Sequence, residues 1–223
     1  MTITFLNLYN EITGQAWSMF DSEVDDKEEF ETSVTTSIQK ALSALWCSYK
    51  FAFRYKKYKF KTKKGVSEYS RPNGNIVQKT IRGSKVYGIK YNKNFLGYEP
   101  DYEVLEEKEG EPERFFIQYD KICLYPVPDD AYDIEVKYIA FDAACNEDGE
   151  TKANLEDETD YINIDEQYED LFKMALMPLT MTYLIASESD ENYSQYKEQY
   201  EKAYKNLIDF CKGAEIDKRI GWR

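Results

Sequence analysis

"YKFAFRYKKYKFKTKK" spans residues 49–64, and the change of period within it decides how the fold is read. Up to Tyr49 the apolar residues recur every three or four positions. Phe30, Val34, Ile38, Leu42, Leu45 and Tyr49 line one face of a helix predicted from about 27 to 48. From 49 the period becomes two, and Tyr49, Phe51, Phe53 and Tyr55 share one face of a strand. The apolar phase then slips to Tyr58 and Phe60. A slip of one residue reverses the faces, which predicts a bulge or a break near Lys56–Lys57. A helical part therefore gives way to a β part, and the fold class that follows is α+β.

The same stretch holds eight Lys or Arg and no acid, in a chain whose net charge is −13. Residues 50–100 carry fourteen basic residues against Glu68 and Glu99, a balance of +12, while the remainder carries fifteen against forty acids, a balance of −25. An asymmetry of this size points to association of basic with acidic surfaces, or to a nucleic-acid face on an otherwise repelling body. The candidate residues are Lys50, Arg54, Lys56, Lys57, Lys59, Lys61, Lys63 and Lys64. Interleaved with Phe51, Phe53, Tyr55 and Tyr58, they have the composition of a single-strand-binding face. An interface with acidic stretches such as Asp101–Glu113 or Glu147–Asp160 is nonetheless the first reading, phosphate contact the second and a plain solvated strand the third.

Working outward, residues 3–12 place Phe5, Leu6, Tyr9 and Ile12 at helical spacing, with Gly14 as the predicted stop. Asp25, Asp26, Glu28 and Glu29 stand where the dipole of the next helix favours negative charge. After the basic stretch, "RPNGN" at 71–75 reads as a turn, and Gly83 and Gly88 as bulges or bends. Residues 102–119 read as a hairpin around the charged "KEGEPE" turn. In "KICLYPVPDDAYDIEVKYIAF", 121–141, Ile122 and Leu124 precede a turn at Pro126–Asp130, and Ile134, Val136 and Tyr138 alternate after it. The reading is one more antiparallel pair, with Pro126 and Pro128 outside the central ladder because they lack an N–H.

Residues 143–163 read as a solvated acidic loop. "NEDGETKANLEDETD" resembles a calcium loop only superficially, since with Gly149 at the sixth position Ala144 and Leu155 fall on the first and twelfth ligand positions. Two helices follow. The first, about 165–187, has a wide apolar face of Tyr168, Leu171, Ala175, Leu179, Thr182 and Ala186, with Pro178 predicted to kink it. The second, about 191–212, carries Tyr193, Tyr196, Tyr200, Ala203, Leu207 and Phe210 and ends at Gly213 as a C-cap. They read as an antiparallel pair. The organisation is thus a helical core from 1–50 and 164–213, an antiparallel β insert at 51–142, an acidic loop at 143–163 and a tail at 214–223.

The chain has no His, and its four cysteines form no CxxC pair. His–Cys zinc sites, His bases and Ser–His–Asp triads are excluded by composition. "GSKVYG" lacks the Gly-Lys-Ser/Thr ending of a phosphate loop, and no acid is paired in a motif with a nucleophile. The expectation is a protein without catalytic residues, metal or cofactor. The segment from Met1 to Phe20 has no basic start and carries Glu11 among its apolar residues, so it does not read as a signal peptide. The longest uncharged apolar run, 174–187, is too short to span a bilayer. Twenty tyrosines suit a protein that makes interfaces.

In order and spacing, "LNLYNEI", "ALWCSYKF", "ICLYPVPDDAYDIEVKYIAF", "INIDEQYEDLFKMALMPLTMTYL" and "YSQYKEQYEKAYKNL" resemble the head-to-tail connector (adaptor) proteins of tailed phages, of the tail-tubular-protein-A kind. The lead "INIDEQYEDLF" departs from the family in lacking its usual Pro. The resemblance implies a structural virion protein at the head–tail junction, assembled in the host cytoplasm. Identical subunits would form a ring, usually dodecameric, beneath the portal protein, with tail proteins below and genomic DNA passing through without sequence-specific binding. It also implies that the C-terminal segment reaches the portal, through Ile216, Arg219, Ile220, Trp222 and Arg223. Burying the Trp222 indole would remove on the order of 200 Å² from water. The runner-up reading is a nucleic-acid-binding protein using strands 49–93.

Overall fold

The computed structural model describes residues 2–20, 27–81, 84–100, 108–185 and 191–220, with the side chains of 20, 81, 84 and 214–220 outside that description. Four helices are α1 (Phe5–Phe20), α2 (Lys27–Ser48), α3 (Glu166–Leu184) and α4 (Glu191–Ile220). The strands are β1 (Tyr55–Lys61), β2 (Glu68–Ser70), β3 (Gly74–Ile76), β4 (Gln78–Ile81), β5 (Ser84–Tyr87), β6 (Ile89–Tyr91), β7 (Asn94–Phe95) and β8 (Gly97–Tyr98). They continue with β9 (Glu109–Gly110), β10 (Arg114–Gln118), β11 (Lys121–Tyr125), β12 (Val127–Pro128), β13 (Asp133–Ala140), β14 (Ala144–Cys145), β15 (Thr151–Lys152) and β16 (Tyr161–Ile162). The fold is α+β, in two units: Met1–Phe53 with Asp142–Arg223, and Arg54–Phe141.

In the helical unit, α3 packs against α1, α2 and α4. The predicted face of α2 is the buried one, through Phe30, Val34, Ile38, Leu42 and Leu45. Its partner face on α3 buries Tyr168, Phe172, Ala175 and Leu176, and the helix runs on through Pro178. Two glycines read as stops are passed by their helices. Gly14 lies inside α1, because Ala16 is buried beyond it and Trp17 sets its ring 4.8 Å from Phe30. Packing of that kind outweighs the roughly 1 kcal/mol by which Gly disfavours a helix interior. Gly213 likewise lies inside α4, which continues to Ile220.

The strand expected from Tyr49 begins only at Tyr55. A short 3-10 turn, Ala52–Arg54, precedes it and is where the apolar phase slips, ahead of the expected Lys56–Lys57. The turn lets Phe51 and Phe53 stack at 4.9 Å in the helical core. Phe53 then meets Trp46 at 5.4 Å, Tyr168 at 5.3 Å and Phe172 at 5.5 Å.

Among the described residues, the β unit packs its two larger sheets over one core, beside the β4–β5 hairpin and the β9–β12 pair. One runs β1–β13–β6–β7, with β3 also on β13; the other runs β2–β11–β10–β8. Between them lie Ile89, Leu96, Phe115, Ile122, Leu124, Ile134 and Val136, flanked by Tyr58, Phe60 and Tyr69. The expected pairing of 121–125 with 133–140 is corrected here: β11 pairs with β10 and β2, and β13 with β1, β3 and β6. Ile122 and Leu124 bury their faces against Ile134 and Val136 across the core, so the strands belong to opposite sheets. Pro126 and Pro128 stay outside both ladders, with β12 pairing only β9. Gly88 makes the expected bend, in close approach to β13: a Cβ there would sit 2.9 Å from the Lys137 carbonyl oxygen. The first strand of the expected 102–119 hairpin, and Gly83, fall outside the described residues.

Residues 143–163 are not a solvated loop. β14, β15 and β16 form a three-stranded antiparallel sheet, and Tyr161 also bridges Thr4. Leu155 and Ile162 are fully buried. This segment belongs to the helical unit.

Candidate functional site

Once β1 is placed, its side chains separate by parity. Tyr58 and Phe60 turn to the core, and Tyr55, Lys57, Lys59 and Lys61 to the exposed face. The partner strand β13 runs antiparallel, in the register Lys57↔Lys137, Lys59↔Glu135 and Lys61↔Asp133. Lys59 reaches Glu135 at 3.8 Å and Lys61 reaches Asp133 at 3.9 Å. The basic strand therefore does meet an acidic neighbour, inside its own sheet. Both pairs are wet, and such pairs contribute from nothing to about 1 kcal/mol.

The eight candidate residues do not act as one set. Arg54 is buried, and its Nε and Nη2 donate to the Ala140 carbonyl at 3.2 and 3.1 Å. It fixes the first residue of the β unit to the end of β13, and its assignment to a surface site is corrected. Lys56 is half-buried on the opposite parity. Lys50 is exposed ahead of the 3-10 turn, and Lys63 and Lys64 are exposed in the turn after β1. Lys57, Lys59 and Lys61 alone share the outer sheet face.

That face carries residues the sequence reading missed. A groove of about 500 Å³ is lined by Lys59, Lys90, Asn92, Lys93, Asp133, Ile134 and Glu135. Lys90 comes from β6, opposite Glu135 in register, and its Nζ lies 4.2 Å from the Phe95 ring centroid. Lys93 sits in the two-residue turn between β6 and β7 with φ +67°, after Asn92 at +45°. One pair along the same face, Lys57 stands directly opposite Lys137. Burial pushes the Lys137 amine down, Lys90 and Lys57 push it further, and Glu135 opposes them. "YNKN", 91–94, is a legible turn; the register that gathers its lysine with Lys57 and Lys137 is not.

The acidic segment shows the opposite use of charge. The Asp160 side chain is 1% exposed and its Oδ2 accepts from Lys152 Nζ at 2.8 Å and from the backbone N–H groups of Glu156 and Asp157 at 2.7 and 2.9 Å. Burial pushes this carboxyl up, but the hydrogen bonds from Lys152 and the backbone outweigh it and hold the group below its ordinary value. Lys152 also pairs with Glu156 and Asp157.

The proposed portal-contacting residues divide as well. Ile216, Arg219 and Ile220 lie on the last turns of α4, whereas Trp222 and Arg223 are outside the described residues. Cys123, Cys145 and Cys211 are buried and Cys47 is exposed, all as free thiols. Among the described residues, no three Cys, Asp or Glu cluster as a metal site, and no helix is long and apolar enough to cross a membrane. Compared with known families and with curated proteins, the chain matches no family model and no curated protein.

Proposed function

We propose that the chain is the subunit of a head-to-tail adaptor ring, joining the portal protein of a tailed phage to its tail proteins and forming part of the DNA channel. The observation that carries this reading is the architecture of the helical unit. Two N-terminal helices and a C-terminal antiparallel helix pair make one core, with the β unit inserted between them, in the order the adaptor resemblance implies. The extension of α4 to Ile220 supports a C-terminal helix that projects toward the portal. The function is adhesive, through heterologous contacts that close on themselves, and no step of it calls for catalysis or a cofactor. Genomic DNA passes through without being gripped, since each neutralised phosphate would strengthen the hold by counterion release.

Deleting 215–223 tests the reading. The truncated chain is expected to fold with an unchanged thermal midpoint and to lose co-sedimentation with the portal ring. Undiminished docking contradicts the role given to this segment. The nucleic-acid reading is the less favoured one: Arg54 is spent inside the fold, and Asp133 and Glu135 interrupt the lysines of the outer face.

A further inference from the structure

We infer that the lysine-lined groove on the outer face of the β1–β13–β6 sheet receives the acidic tip of the β14–β15 hairpin, Glu147 and Asp148, from a second copy of this chain. The inference refines the ring reading and rests on it, because it names the contact between neighbouring subunits.

The first argument is that two lysines of this face stand where they cost local stability. Lys57 opposes Lys137 directly, and like charges opposite each other in a sheet repel. Lys93 occupies a left-handed position at the second residue of a tight hairpin turn, where Gly is the relaxed choice. Both placements carry a local cost. Together they raise ammonium density around one groove, which Lys59 and Lys90 also line.

The second argument is the shape of the occupant. Asn146 closes the β14–β15 turn from both sides: its Oδ1 accepts from the Glu150 N–H at 2.7 Å, its carbonyl accepts from the Gly149 N–H at 2.9 Å, and its Nδ2 donates to Glu150 Oε2 at 3.2 Å. Gly149 supplies the positive φ of +81°. Glu147 and Asp148 are left exposed at the tip, with no ion pair to a described residue. Two carboxylates on an already ordered turn lose little freedom on docking.

Charge selects a second copy over nucleic acid. The Arg54–Phe141 unit holds 17 Lys/Arg against 14 Asp/Glu, a balance of +3, and the other unit holds 12 against 28, a balance of −16. The groove, moreover, keeps Asp133 and Glu135 in its lining. A continuous phosphodiester would run its phosphates against them, whereas a tip of two side chains needs only the ammonium groups beside it. Such a contact joins different surfaces of two identical chains, so it propagates head to tail and closes into a ring where the rotation allows.

Full-length protein, half of it nitrogen-15 labelled, is mixed at about 1 mM, where even a millimolar contact is well populated, and joined with a zero-length carbodiimide. Mixed-isotope links are expected from Glu147 or Asp148 to Lys57, Lys59, Lys90 or Lys93. They should fall several-fold when salt near 0.5 M screens the charges. Lys57→Glu with Lys93→Glu should abolish them, and adding Glu147→Lys with Asp148→Lys to that chain should restore contact, read as concentration-dependent sedimentation. A circular-dichroism melt of each variant establishes that it is folded. Absent links, links confined to one copy, or failed restoration overturns the inference. So does a groove variant that loses filter binding of duplex DNA while its self-contact persists. If the links form but the protein never docks on a portal, the adaptor reading fails and the contact stands. A ring on the portal without these links has the reverse meaning.

Discussion

The basic stretch at 49–64 and the acidic stretch at 143–163 look alike in sequence, each dominated by one charge sign, and the fold treats them differently. In the acidic segment one charge is internal, while Glu147 and Asp148 stay exposed at the tip of the β14–β15 turn. Asp160 is buried, accepts from Lys152 and two backbone N–H groups, and so closes the loop between β15 and β16. In the basic stretch the apolar side chains serve the fold: Phe51 and Phe53 enter the aromatic core of the helices, Tyr58 and Phe60 flank the β core, and Arg54 ties β13 to the start of β1. From Lys57 onward the charge is carried outward, opposite another lysine and beside a strained turn. A charge run is thus spent on the fold where its partners are buried, and available to another molecule where its placement opposes folding.

Five substitutions sharpen or break this contrast. Phe53→Ala removes the ring that meets Trp46, Tyr168 and Phe172, and should cost about 3–5 kcal/mol in urea unfolding. A loss under about 1 kcal/mol would return Phe53 to the sheet as the alternating pattern suggested. Asp160→Ala leaves two backbone donors without their acceptor, at about 1–3 kcal/mol.

The same carboxyl gives a pH signature. Its folded value is depressed, so its contribution is complete above the unfolded value of about 3.9 and disappears as pH falls through the folded one. Melts of the native chain and of Asp160→Asn should therefore converge as the pH is taken below that point. Lys93→Gly should stabilise the chain by about 1 kcal/mol, through relief of the left-handed turn, while weakening self-contact. Lys57→Glu should raise stability by a few tenths of a kcal/mol by meeting Lys137. If either groove variant is destabilised, the idea that the lysines are held against stability is lost.

The α2 core face was legible because six apolar residues keep one helical phase for five turns. Gly14 misled, since a glycine weakens a helix by an amount that packing of Ala16 and Trp17 readily offsets. The parity slip in 49–64 was legible, but its place was not. Whether a Phe two residues from another joins a strand face or a helical core depends on Trp46 and Tyr168, which are remote from each other in sequence. The Ile122 and Ile134 strands were read correctly as strands and wrongly as partners, because a shared core and a shared ladder produce the same alternation. The groove was invisible for a related reason: only the pairing of β1 with β13 and β6 brings Lys57, Lys137, Lys90 and Lys93 to one face. Nothing in the spacing of Lys152 and Asp160 announced their pairing, which closes the loop 153–159.

The central proposal, that this chain works by adhesion between portal and tail, is tested most directly by cryo-electron microscopy of the purified protein incubated with the portal ring that the proposal pairs it with. The account expects a closed ring of this chain seated beneath the portal, its C-terminal helices against the portal and its β units in contact with neighbouring copies. A portal that stays bare at saturating protein would contradict it.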